Sequence, residues 1–139
     1  MVESPIHHLL YASRAADGLG VDAIELLVSA AREANDRHDV TGFLLYSGTH
    51  FAQVIEGPRF ALDTLMASIR RDRRHSDVQI LLMEPAAHRD FGGWSMAYLH
   101  ELGFGDLLET IWRDPKMSAI RARGLVEHFR AQFDRQPPS

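Results

Sequence analysis

Gln53 stands between Phe51 and Ile55 in the stretch FAQVIEG, residues 51–57. An extended chain puts Phe51, Gln53 and Ile55 on one face, with Ala52 and Val54 on the other. A carboxamide among hydrocarbons needs partners, because each buried amide group left unsatisfied costs about 1–3 kcal/mol. Other side chains raise the same question. Tyr11 lies in the apolar run HHLLYAS, Asn35 closes the apolar face of a helical segment, and Trp94 and Met96 alternate in GWSMAY. Singly, each has an ordinary explanation: a core tyrosine, a helix C-terminal asparagine, plain packing. Together with Gln53 they are polar-tipped or polarisable groups from different elements, and they call for one shared partner. A phenol can release a proton and an electron, and an amide can both donate and accept a hydrogen bond.

Other chemistries find less support. The eight histidines, at 7, 8, 38, 50, 75, 88, 100 and 128, form no H-E-x-x-H and no i,i+4 pair, so they read as solvated surface groups rather than metal ligands. The absence of cysteine excludes disulfides, thiol nucleophiles and Cys-bound metals. There is no G-x-S-x-G, no G-x-G-x-x-G and no G-x-x-x-x-G-K-[ST]. The basic run RRDRRH, residues 70–75, either complements a helix C-terminal dipole or clamps a phosphate through planar guanidinium forks. A net charge of −4 argues against general affinity for nucleic acid or an anionic membrane. No apolar run reaches the ~20 residues that span a bilayer, and MVESPIHH lacks the parts of a signal peptide, so a cytoplasmic location is expected.

The elements that must carry these groups follow from periodicity. Strands are predicted over 7–13, 41–47, 50–56, 77–84 and 91–99, the last entered through glycines. Only Gly48 and Thr49 separate the second and third strands, which signals a hairpin. A helix is predicted over 21–36, with Val21, Ile24, Leu27, Val28, Ala31 and Ala34 on one stripe. A second begins near Pro58 and carries Phe60, Leu62, Leu65, Met66 and Ile69. GDLLETIWR and MSAIRARGLVEHFRAQF read as two further helices, with Leu107, Leu108, Ile111 and Trp112 on one stripe and Leu125, Val126, Phe129 and Phe133 on another. The 139 residues suit one domain with a sizeable core. The class is α+β, with the order β-α-β-β-α-β-β, and its first six elements match a ferredoxin-like split β-α-β unit. Residues 1–104 form the domain and 105–139 a C-terminal helical extension.

Five co-linear motifs now matter: LLYAS with Tyr11 and Ser13, AREANDRHDVTG with Asn35, FAQVIEGP with Gln53, IRRDRRHSDVQIL, and GWSMAY. In this order and spacing, over residues 7–98, the chain resembles the BLUF domains, blue-light sensors that bind a flavin. The resemblance implies a ferredoxin-like sheet with the isoalloxazine ring held between two helices on one face. It implies that Asn35 bonds the pyrimidine edge and that Gln53 sits between Tyr11 and the flavin. Asp72 would meet the ribityl hydroxyls, Arg74 and His75 the ribityl or phosphate portion, Ser13 belongs to the binding set, and Ile24 and Leu27 would line the ring. The cofactor would be FAD, with FMN also possible.

The resemblance further implies that light draws an electron and a proton from Tyr11, and that their return leaves the hydrogen bonds of Gln53 rearranged. Trp94 and Met96 would relay that change to the last strand and the C-terminal helices, and from there to a partner protein or a second copy. No substrate is turned over. Two other readings of the same topology are a flavin-free interaction module and an acylphosphatase-like enzyme. The latter needs an arginine in an anion-cradling loop after the first strand, where Arg14, Gly18 and Gly20 stand.

Overall fold

The structure is a computed structural model of the 139-residue chain and describes residues 6–93, 95–100, 109, 113, 124, 127, 128, 130 and 131. Trp94 and the apolar stripes expected after residue 104 lie outside the described residues. The elements are β1 (Ile6–Ala15), α1 (Val21–Arg37), β2 (Thr41–Tyr46), β3 (His50–Gly57), α2 (Arg59–Arg71), β4 (His75–Ala86) and β5 (Ala97–His100). They build one five-stranded sheet in the order β4-β1-β3-β2-β5. β1 runs antiparallel to both β3 and β4, β2 antiparallel to β3, and β5 parallel to β2. This is the ferredoxin-like α+β arrangement, with β5 added beyond β2.

Alternation along the strands divides the core in two. On one face Leu9, Tyr11, Leu44, Gln53 and Ile55 meet the helices. The stripe of α1 buries Ile24, Leu27 and Val28, and that of α2 buries Ala61, Leu62, Leu65 and Met66. On the other face Leu10, Phe43, Leu45, Ala52, Val54, Phe91 and Ala97 form a separate cluster. Phe60 departs from the expected stripe: it lies on the solvent side of α2 and is 83% exposed. Ser47 N–H donates to the His50 carbonyl at 3.0 Å across Gly48–Thr49, and Gly48 takes the positive φ (98°) that such a tight reversal requires.

The last strand is shorter than its alternation suggests. β5 starts at Ala97, and Phe91–Gly93, Ser95 and Met96 belong to the connection from β4. Two causes are visible. Gly93 sits at φ 92°, which breaks an extended run. The carboxylate of Glu56 accepts the N–H groups of Asp90 and Phe91, which a sheet ladder would otherwise use. Met96 is therefore placed by the connection and not by a strand.

Candidate functional site

Register explains the central contact. Tyr11 on β1 lies directly opposite Gln53 on β3. Side chains opposite one another in an antiparallel pair share a face and stand within reach. Here the Tyr11 hydroxyl donates to Gln53 Oε1 at 2.5 Å. The other end of the amide, Gln53 Nε2, reaches Met96 Sδ at 3.5 Å. Both Tyr11 and Gln53 are buried. Burial, reinforced by the negative charge of Asp72, pushes the Tyr11 phenol well above its usual range, so it stays protonated at any ordinary pH.

The connection before β5 is fastened to α1. Asn35 Nδ2 donates to the Ser95 carbonyl at 2.7 Å, and Arg32 Nε to the Met96 carbonyl at 3.0 Å. Asn35 is not the expected C-terminal cap. α1 runs on to Arg37, the backbone N–H of His38 closes the helix, and the Asn35 side chain faces the sheet.

Tyr11, Gln53 and Asn35 border one cavity of about 280 Å³ between the two helices and the sheet. Leu27, Ile55, Leu65 and Ile69 give it apolar walls, and Ala30, Ala31 and Ala34 leave room along α1. Its remaining border carries Asp72, Arg74 and His75. Arg74 is held against Asp72, with Nε 3.0 Å and Nη2 2.6 Å from carboxylate oxygens, and the Arg74 N–H also donates to that carboxylate. This pair keeps the Asp72 carboxyl below the usual carboxylate range.

Ser13 does not line the cavity. Its hydroxyl stands 2.8 Å from His75 Nδ1 and so orients that ring, which also lies edge-on to Tyr11 at 6.1 Å. Ile24 does not line it either. One turn nearer the start of α1, it borders a second cavity with Leu19, Tyr46, Tyr98 and His100. Leu44 and Ser68 line the first cavity without having been singled out by sequence. Leu65 and Ile69 were legible only as an apolar i,i+4 pair. Arg14, which an acylphosphatase-like site would need in a loop, lies within β1 with its Nη2 3.0 Å from Glu109 Oε1. A carboxylate already occupies that guanidinium.

Burial depresses the His75 titration to about 4, against the opposing pull of Asp72. A histidine whose folded value lies below its unfolded one contributes stability above about pH 6.5 and loses it as pH falls toward 4. Urea unfolding at stepped pH is expected to show this loss, at most about 3 kcal/mol. His75→Gln is expected to flatten that part of the profile, and an unchanged profile would place the acid sensitivity elsewhere.

The cavity suits a flat, largely apolar ring with a polar edge. It has apolar walls, small residues along one helix, and two carboxamides, a phenol and charged side chains on its border. Its volume is near the lower end of ligand pockets, roughly 300 Å³ and upward.

Comparison with known proteins agrees with this geometry. Residues 6–97 match the family described as sensors of blue-light using FAD. The blue light- and temperature-regulated antirepressor BluF of Escherichia coli K12 is 37% identical over 108 residues, which cover 75% of this chain and 26% of that protein. The photoactivated adenylate cyclase subunit alpha of Euglena gracilis is 34% identical over 90 residues, covering 65% of this chain and 9% of that one. The chain thus spans about a quarter or less of these curated relatives. The dark-state structure of the BLUF protein BlrB superposes with a TM-score of 0.69 at 36% identity, covering 79% of this chain and 83% of that one. A cavity between sheet and helices, a hydrogen-bonded tyrosine–glutamine pair on its lining and a family match over most of the chain lead to one conclusion: this protein belongs to the BLUF family of flavin-based blue-light sensors.

Proposed function

We propose that Tyr11 and Gln53 are the photochemical pair of this sensor and that Met96 receives their signal. The observation that carries this reading is the continuous chain from the Tyr11 hydroxyl through the Gln53 amide to the Met96 sulfur, whose Tyr11 and Gln53 line the cavity. Asn35 and Gln53 would hold the polar edge of the ring, Leu27 its face, Asp72 the ribityl hydroxyls, and Arg74 and His75 the ribityl or phosphate portion. Ser13 acts through His75. FAD is the proposed cofactor; a site built for the ring and its first attachments would also accept FMN. When bound, flavin supplies a blue-light absorber that is a strong oxidant in its excited state.

Tyr11 gives up an electron and, because its buried phenol cannot persist as a bare cation, a proton along the bond to Gln53. Gln53 would relay the proton, and the electron and the proton would both come back to Tyr11, which ends as it began. The lasting change is in the hydrogen bonds that Gln53 makes toward Tyr11 and Met96. Nothing is oxidised overall and no product leaves, so the protein acts as a sensor and not as an enzyme. Met96 begins the connection into β5, and we propose that its altered contact is read at the protein surface by a partner protein or a second copy in the cytoplasm.

The test is an absorption spectrum of the flavin-loaded Tyr11→Phe variant before and after blue light. Wild type is expected to show a small, reversible red shift. The variant, which lacks the transferable proton, is expected to show none while remaining yellow. A variant that shifts like wild type would overturn the role of Tyr11. A protein that binds no flavin would favour a flavin-free interaction module.

A further inference from the structure

β3 holds the connection between β4 and β5 at two points. At the start, the Glu56 carboxylate accepts the N–H groups of Asp90 at 2.6 Å and Phe91 at 2.9 Å. At the end, the Gln53 amide meets Met96. The residues opposite these two on β1 are His8 and Tyr11. Three residues apart on each strand, the His8–Glu56 and Tyr11–Gln53 pairs lie on opposite faces of the same two strands.

Around His8 the charges are specific. Its Nε2 stands 3.0 Å from Glu56 Oε2 and 3.8 Å from Asp90 Oδ2. Glu84 on β4 lies opposite it in register. From the connection, His88 Nε2 is 4.0 Å from Asp90 Oδ1, and Arg89 donates to the Glu56 backbone carbonyl. Arg130 Nη1 is 3.6 Å from Asp90 Oδ1. Thr41 donates to Glu56 Oε1 as well. These donors satisfy the Glu56 oxygens, so the cluster shares a proton rather than caging a cation. The bond to Glu56 raises the proton affinity of His8 despite its burial, and the same bond, with the backbone donors, keeps Glu56 ionised.

We propose that His8 is a proton-linked latch on the Asp90–Phe91 end of this connection, and that it releases its proton to water when light rearranges Gln53. This rests on the photocycle reading above. The raised affinity of His8 has a fixed part, from Glu56 opposite it on β3, and a movable part, from Asp90 on the connection. Rearrangement of Gln53 alters one anchor of the connection, and a looser connection carries Asp90 away from His8. The N–H bond of the imidazolium then breaks, its proton passes to solvent, and the neutral ring regains it in the dark. Coupling is reciprocal. A proton on His8 favours the dark arrangement, so raising the pH through the His8 titration removes that bias and slows thermal return.

The experiment follows the flavin-loaded protein in weak buffer with a pH-indicator dye and its absorption together after a blue flash. Wild type is expected to release a fraction of one proton per chain near neutral pH, and its dark return to slow severalfold between about pH 6 and about pH 9. His8→Gln is expected to keep the red shift, release no proton and return at a rate independent of pH. A red shift without proton release, or release that persists in His8→Gln, would overturn the latch and leave the photocycle standing. If no red shift occurs, the photocycle reading fails and the latch with it. Should His8→Gln not fold, Asp90→Asn serves: it removes one of the facing carboxylates and is expected to move the pH profile of dark return to lower pH. An unmoved profile would count against the proposal.

Discussion

Gln53→Leu is expected to yield a folded, yellow protein whose spectrum no longer responds to blue light. Leucine keeps the volume of the side chain between Phe51 and Ile55, and it gains from a site that is already apolar on both sides. It removes the acceptor of the Tyr11 hydroxyl and the donor to Met96 in one step. A buried hydroxyl without a partner costs about 1–3 kcal/mol, which a core of this size tolerates. The red shift, by contrast, is expected to vanish entirely, because no group remains whose hydrogen bonds can be rewired. Difference spectra before and after illumination decide the matter, with flavin content measured on the same sample. A shift of normal size would mean that the amide is not the switching element, whatever its contacts.

Gly42→Ala is expected to be the most damaging single methyl in the sheet. A Cβ at Gly42 would stand 2.3 Å from the Val54 carbonyl oxygen and 3.3 Å from the Ile55 Cα. Both are backbone atoms of β3 and cannot swing aside. β2 must then back away from β3 along a ladder that also places Leu44 against Gln53 and carries β5 on its far side. The expected loss is about 3 kcal/mol, at the upper end of the usual cost of overpacking, because the clashing atoms are backbone. Gly92→Ala is the matched control, since its Cβ would meet only the Arg89 Cβ at an ordinary 3.7 Å. Urea unfolding of the two variants side by side tests this. Equal midpoints would show that the two strands do not approach as closely as described.

Local pattern made much of the fold legible. Alternation in residues 51–57 placed Gln53 with Phe51 and Ile55, and the stripe at Leu27 and Leu65 located the two helices. Contacts made by register were not legible as such. Tyr11 and Gln53 are 42 residues apart, and nothing in either strand alone says they lie opposite. The chemical oddity of an amide in an apolar face signalled that a partner exists, and the family resemblance named it. Ile24 and Leu27 share one stripe, and periodicity cannot tell which turn of that stripe faces which cavity. The fifth strand was overextended because alternation in GWSMAY survives in a connection that Gly93 and Glu56 bend. The His8, Glu56 and Asp90 cluster gave no signal at all: its members come from β1, β3 and the connection, at spacings no short motif contains.

β5 ends the sheet and is held along four residues by β2. β1 and β3 each have neighbours on both sides. A strand gripped along a single edge opens at far lower free energy than one in the middle of a ladder. The Tyr11–Gln53 pair is therefore mounted on the part of the scaffold that breathes least, and Met96 stands at the entry to the rim. In heavy water the amides of Ala97–His100 would fill with deuterium long before those flanking Tyr11, and a push at Met96 would peel the rim without unzipping the middle.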